Sequence, residues 1–412
     1  MAISTFKALR HRNFRIFLIG QIFSLVGIWA QRMAQAWLVY DLTHSAAWLG
    51  IVEAFSALPM FFFSLIGGSL ADRLPKKMLL VIIHLVAMIV SMVYALLIWS
   101  GRINIFFISV LAFISGILLA FEVPTRQSFY VELVGRDDLT NAIALNSATF
   151  NMARLVGPAI GGFLVARYGV AWCMFLNSLS YTTLIIALLL IRLDRMGNPS
   201  RAGISFRKSL KQVWYYIRDR RPVKGLLILI GSTTIFGWSF IVILPVFARE
   251  VLGGGAVMLG KLMSAAGLGA LVAAIVVAAV SDRVPPRRLV FTGLYTFVLA
   301  ILTLSFSQNT LLSLFSVSVA GFGLVMFYIN ANSALQRRVP HELRGRIMGV
   351  YALTFGGFMP LGSLQIGFVA EHIGVQKALF ICSVLLATFG FLISRWVPPV
   401  KPAHEPPHPS ER

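Results

Sequence analysis

Long apolar runs separated by short polar clusters recur along almost the whole chain. They extend from Phe14 to Leu38, Ala47 to Ala71, Met78 to Ser100, Asn104 to Pro124, Leu139 to Ala166 and Ala171 to Ile191. A second set extends from Val223 to Phe247, Ala256 to Val280, Leu289 to Ser307, Thr310 to Asn332, Ile347 to Ala370 and Val375 to Val397. At 1.5 Å of rise per residue, helices of about 19 to 28 residues cross about 30 Å of hydrocarbon. The runs are continuous rather than alternating, and only helices or closed barrels satisfy the backbone in lipid. The pattern predicts an all-α integral membrane protein of about twelve transmembrane helices.

The polar segments carry a repeat. Asp72-Arg73-Leu74-Pro75-Lys76-Lys77 follows the second run, and Asp282-Arg283-Val284-Pro285-Pro286-Arg287-Arg288 follows the eighth, 210 residues later. A weaker echo pairs the segment from Gly162 to Gly169 with that from Gly367 to Gly374, 205 residues on. Duplication of a six-helix unit accounts for both. The expected organisation is a bundle over 1–191, a linker over 192–222, a second bundle over 223–397 and a tail over 398–412. In the linker, Phe206, Leu210, Val213, Trp214 and Ile217 recur at helical spacing opposite Arg207, Lys208, Lys211 and Arg218, which predicts an amphipathic helix on the membrane surface. The proline-rich tail is expected to be disordered.

Composition agrees: 58% of residues are hydrophobic and 12% charged, against about 25% charged in soluble domains. A net charge of +21 raises the question of nucleic acid. The placement of the basic residues answers it. Of 36 Lys and Arg, 29 fall in the N-terminal arm, alternate loops and tail; Arg102, Arg167, Arg249 and Lys377 fall on the opposite side, and Arg32, Arg154 and Lys261 within runs. The positive-inside rule puts both termini in the cytoplasm, and no nucleic-acid partner is implied. The segment from Phe6 to Arg15 leads into the first run without a cleavage site, so that run is expected to be retained. Cys173 and Cys382 stand apart without histidine or CxxC partners, which reads as reduced thiols rather than a metal site. The segment from Gly255 to Leu262 nearly matches a phosphate loop but lacks its Ser or Thr and a preceding strand. No cofactor is expected. With no ATPase motif, uphill movement must draw on a gradient. An enzyme would need a nucleophile, an acid and a base converging at one depth, and no such set is visible.

Gly68-Ser69-Leu70-Ala71-Asp72-Arg73-Leu74-Pro75 resembles the loop signature of the major facilitator superfamily, with Pro75 in the place of a glycine. Gly157-Pro158-Ala159-Ile160-Gly161-Gly162 resembles the antiporter motif of that superfamily, with Ala144 and Ala153 where upstream glycines would fall. Glu122-Val123-Pro124-Thr125-Arg126-Gln127-Ser128-Phe129 is similar to the end of the fourth helix in the branch holding enterobactin exporters and macrolide-efflux proteins. The resemblance implies two pseudo-symmetric six-helix bundles in a bacterial inner membrane, rocking in alternating access as a monomer. It also implies that Asp72 latches the halves through the N-terminus of a helix in the other half. Gly68, Arg73, Asp282, Arg283 and Arg126, with Gly157, Pro158, Gly161 and Gly162, are the candidate gating and loop positions.

Ionisable residues within a bilayer are costly and mark function or pairing. Arg32 and Glu53 approach the same outer third from adjacent runs. Glu53, the acidic residue well inside a predicted span, is a candidate proton carrier, and the alternative is a static bridge to Arg32. Gln21, Ser24, Gln31 and Gln35 share one helical face, as do Ser147, Asn151, Arg154 and Pro158 on the fifth run. Both faces are expected to line a central aqueous cavity, with Arg154 near the midplane. His84, alone in the third run, reads as a satisfied buried histidine. The expected function is proton-coupled efflux of small amphipathic molecules of drug or siderophore type. Movement of lysophospholipids by the same fold, or a membrane sensor that binds without translocating, are the alternatives. The partners are a small-molecule substrate, protons or another coupling ion, and the bilayer.

Overall fold

The computed structural model describes residues 6–192, 206–281 and 283–396. Inside its helices the side chains of residues 65, 69, 71, 72, 206–211, 213, 341 and 342 lie outside the described set. Asp282, the side chain of Asp72, much of the linker and the tail expected to be disordered therefore fall outside the described residues.

Among the described residues, twelve helices are long and apolar enough to cross a membrane. The first six are α1 (Arg12–Thr43), α2 (Ala46–Arg73), α3 (Lys76–Trp99), α4 (Ile105–Val134), α5 (Leu139–Tyr168) and α6 (Val170–Leu190). The amphipathic segment forms α7 (Phe206–Asp219). The later six are α8 (Arg221–Phe236), α9 (Ala256–Val280), α10 (Pro286–Phe306), α11 (Thr310–Arg338), α12 (His341–Ile373) and α13 (Val375–Trp396). The span begun by α8 continues through a 3-10 segment, Trp238–Ile243, a short turn of helix with Pro245, and a π turn, Phe247–Val251. Helix starts are marked by side chains that accept orphan amides: Ser45 from Trp48, Asn104 from Phe107, and Asn309 from Leu311 and Leu312. The repeated glycines Gly169 and Gly374 end α5 and α12 with φ of +91° and +87°. There a side chain would be strained, so the two copies keep one turn geometry.

Helix α4 departs most from the sequence expectation, running ten residues past Pro124. A proline removes one amide and frees the carbonyl four residues earlier, here that of Ala120. A Cβ on Gly67 of α2 would lie 2.6 Å from that oxygen, so α2 shields it. Thr125 and Ser128 donate to the carbonyls of Phe121 and Pro124, and the helix continues.

Packing repeats with the sequence. In the first half α1 packs on α5 and α6, α2 on α4, and α3 on α6; in the second α8 packs on α12 and α13, α9 on α11, and α10 on α13. The halves meet along α5 with α9 and α2 with α12. Large apolar side chains such as Phe106, Phe306, Leu311 and Phe315 remain exposed on the outside, where lipid supplies the contact that water cannot.

Candidate functional site

A cavity of about 790 Å³ opens between the halves. Its wall comprises Ile143 and Ser147 of α5, Tyr328, Ile329, Asn332, Ser333, Gln336 and Arg337 of α11, and Arg344 and Tyr351 of α12. All lie toward the ends of their helices that carry the basic loops, here termed the basic face.

The opposite, far face is shut. A Cβ on Gly260 of α9 would lie 2.6 Å from the Pro158 carbonyl oxygen and 3.1 Å from the Gly162 Cα of α5. On the other seam, a Cβ on Gly367 of α12 would lie 2.8 Å from the Ala46 carbonyl oxygen and 3.0 Å from the Gly50 Cα of α2. Small residues here let backbones touch. Beyond the glycines, Tyr40 Oη donates to Glu250 Oε1 at 2.6 Å. Glu371 Oε2 at the end of α12 accepts from Ser45 Oγ at 3.0 Å and the Ala47 amide at 3.2 Å, at the start of α2. These are the side-chain hydrogen bonds between halves among the described residues. Among the described residues of the basic face, Lys76 bonds Glu132 at 2.6 Å and His11 bonds Asp138 at 2.9 Å, both within the first half, and Tyr216 Oη of the linker helix α7 donates to the Arg338 carbonyl at 2.9 Å.

The antiporter-like motif acts as a two-sided wedge. A Cβ on Gly157 would meet Trp29 Cβ at 2.5 Å and one on Gly161 the Ala30 carbonyl at 2.8 Å, both on α1, while Pro158 and Gly162 abut α9. Pro158 also frees the Arg154 carbonyl, against which Gly267 of α9 packs.

Arg154 is buried at the apex between the halves. Its guanidinium carbon lies 5.7 Å from the Trp29 ring centre and 5.4 Å from that of Trp238. Trp238, Tyr328 and Phe355 meet edge to face at 5.0 to 5.9 Å, forming an aromatic layer between Arg154 and the cavity. Arg32 lies 5.5 Å from the other indole, Trp29, and its Nη2 is 3.9 Å from Glu53 Oε1. Both of these side chains are partly exposed, so the pair is a loose one.

The first polar face goes elsewhere. Gln31 Oε1 accepts from Ser91 Oγ at 2.7 Å and Asn177 Nδ2 at 2.6 Å, Gln35 accepts from Tyr94, and Gln21 donates to Asn146 at 2.9 Å. With buried Ser24, this face turns toward α3, α5 and α6 inside the first half rather than to the cavity wall. Ser147 lines the cavity, and Asn151 donates to the Ser147 carbonyl one turn below Arg154. Gly68 faces open space and Arg73 and Arg283 are exposed at the basic face.

Arg126 is a helix-interior residue, not a loop one: its Nε lies 3.2 Å from Glu122 Oε1, one turn away in α4. Glu53 is thus not alone, because the extension of α4 past Pro124 places Glu122 inside the span as well. Ending that run at the proline concealed it; the i,i+4 acid and base were the available signal. His84 is buried, its Nδ1 2.8 Å from the Leu80 carbonyl. Trp29, Trp238, Tyr40, Glu250 and Glu371 carried no sequence signal, since their roles arise from contacts between distant helices.

A family model described as transmembrane secretion effector matches residues 3–409. The staphyloferrin A transporter of Staphylococcus aureus is 25% identical, over 90% of this chain and 92% of its own. The multidrug efflux pump Tap of Mycolicibacterium fortuitum is 26% identical, over 87% and 89% respectively. Among solved structures, a bacterial homologue of the human lysosomal transporter Spinster is similar in fold, with a TM-score of 0.73 at 14% identity, covering 93% of this chain and 98% of that one.

Proposed function

Because the chain belongs to the transmembrane secretion effectors of the major facilitator superfamily, a family of transporters, and is a multi-pass protein of the plasma membrane, we propose that it exports a small amphipathic molecule from the cytoplasm, driven by protons, through alternating access. The observation that carries this reading is the asymmetry of the seam between halves. A cavity of about 790 Å³ is open at the basic face, while among the described residues the side-chain hydrogen bonds between halves lie at the far face, beside the close contacts of Gly260 and Gly367. With the basic face in the cytoplasm, as the positive-inside rule requires, this is an inward-open state ready to load.

In this reading the substrate meets Ser147, Asn151 and Arg154, while Gln21, Gln31 and Gln35 hold the first bundle rigid around them. Glu53 takes the proton. Its loose pairing with Arg32 lets the carboxyl exchange protons as the cavity changes sides. The turns with Gly68, Asp72 and Arg73, and with Asp282 and Arg283, close the basic face in the opposite state. The exporter assignment draws on relatives named for siderophore and multidrug transport.

The test is purified protein in liposomes with an imposed pH gradient, assayed for movement of a fluorescent amphipathic dye. The wild type is expected to move dye with the gradient. Glu53→Gln is expected to lose at least about tenfold of that gradient-driven rate, a general acid–base contribution being worth tenfold powers. Unchanged gradient-driven movement in the variant removes Glu53 from the coupling role.

A further inference from the structure

Arg154 is 4% exposed, and its Nη2 has no hydrogen-bond partner among the described residues. The indole Nε1 of Trp29, whose ring lies beside it, is likewise buried without one. Arg32, which lies at the same indole as Arg154, is like-signed. Glu53, the acid beside Arg32, is already engaged there at 3.9 Å. Further out, Arg337 and Arg344 line the cavity, and no carboxylate does so among the described residues. Two indole faces offset part of the cost of burying a guanidinium, but a buried charge without a counter-ion remains costly. Two buried donors, one of them charged, therefore lie on neighbouring side chains at the apex without an acceptor among the described residues. Arg337 and Arg344 on the cavity wall repel cations on the way in from the basic face.

We propose that the transported molecule carries an anionic oxygen group, a carboxylate or phosphate, which docks on Arg154 Nη2 and Trp29 Nε1 while an adjoining flat or apolar part stacks on Trp29 and Trp238. This rests on the exporter reading and narrows it: a cationic substrate does not fit. Tyr328 both lines the cavity and contacts Trp238, so the aromatic layer must part for the anion to reach Arg154. Loading and loosening of that layer become one event.

Three matched probes test the charge requirement on the purified full-length protein: 1-naphthylacetate, its uncharged amide, and 1-naphthylethylamine. Binding is read by quenching of tryptophan fluorescence and by thermal shift. The carboxylate is expected to bind about tenfold tighter than the amide, the size of one charge-assisted hydrogen bond, with the amine weakest. Arg154→Gln is expected to erase that preference and the thermal shift, and Arg154→Lys to keep part of it. Trp29→Phe, which removes the indole N–H but keeps an aromatic face, is expected to weaken the carboxylate several-fold and leave the amide alone; it serves if Arg154→Gln does not fold. Lysophosphatidate binding tighter than naphthylacetate, with the same dependence on Arg154, assigns the anion to a lipid headgroup. Preference for the amine, equal binding of amide and carboxylate, or a preference that survives Arg154→Gln overturns the proposal. Dye transport in the same proteoliposomes separates the two readings. Transport without anion preference sinks this inference alone, and Arg154-dependent anion binding without transport sinks the exporter reading alone.

Discussion

Within α4, Glu122 and Arg126 form a nearly buried ion pair at 3.2 Å. Removing one member of such a pair costs more than the pair contributes, because the other charge is left without a partner. Glu122→Ala is therefore expected to destabilise the protein by about 3 to 5 kcal/mol, and the double change Glu122→Leu with Arg126→Met by far less. Thermal unfolding in detergent checks it; a single variant as stable as wild type would show that water or lipid headgroups already serve Arg126. Arg154 stood out in the sequence because a charge in an apolar run is conspicuous. Trp29 and Trp238, which flank it, did not, since aromatic residues in such runs are ordinary. The face holding Gln21, Gln31 and Gln35 was legible as a face, but periodicity does not say which neighbour it meets, and the neighbour is the interior of its own bundle.

At the scale of helices, the spans were legible because hydrocarbon thickness sets a minimum length for an apolar run. Their ends were less so. α1, α4 and α11 extend past their apolar runs, since polar residues continue a helix outside lipid or between helices. Pairing of α5 with α9 depends on backbone contact at Gly162 and Gly260. Gly260→Val would place side-chain carbons where the Pro158 carbonyl now sits, so the far-face seam cannot close. Transport is expected to fall by more than about tenfold, an overpacking cost of 1 to 3 kcal/mol falling on one of the two states. Gly349→Ala in α12, where a Cβ meets open space, is expected to retain transport. Dye-transport rates at matched protein levels compare them, and equal rates would show that the seam tolerates separation.

Across the whole molecule, α2 and α12 lie antiparallel, and Glu371 from the end of α12 caps the start of α2. A carboxylate at a helix N-terminus gains from orphan amides and the helix dipole. In the proposed cycle this contact, together with Tyr40 and Glu250, weights the population toward the far-closed state. Tyr40→Phe combined with Glu371→Ala removes about 2 kcal/mol of such contacts and should raise the far-open population by more than tenfold. Labelling of Ala54→Cys, buried one turn below Gly50 on α2, by an impermeant thiol reagent reads this in a background with Cys173 and Cys382 replaced. An unchanged labelling rate would show that the glycine seams alone hold the far face shut.

Sequence by itself determined that the chain spans a membrane about twelve times, that its six-helix unit is duplicated, and that its basic residues gather on one face. Each of these follows from properties that accumulate along a chain: run length, repeat spacing and charge placement. Tertiary structure alone decided which face is closed, that Glu122 is buried beside Arg126, that the α1 glutamines turn inward, and that Arg154 waits between two indoles. Those outcomes depend on which helices touch and at what depth. Contacts between α5 and α9, or α2 and α12, join residues more than ninety positions apart, and no local pattern encodes their register.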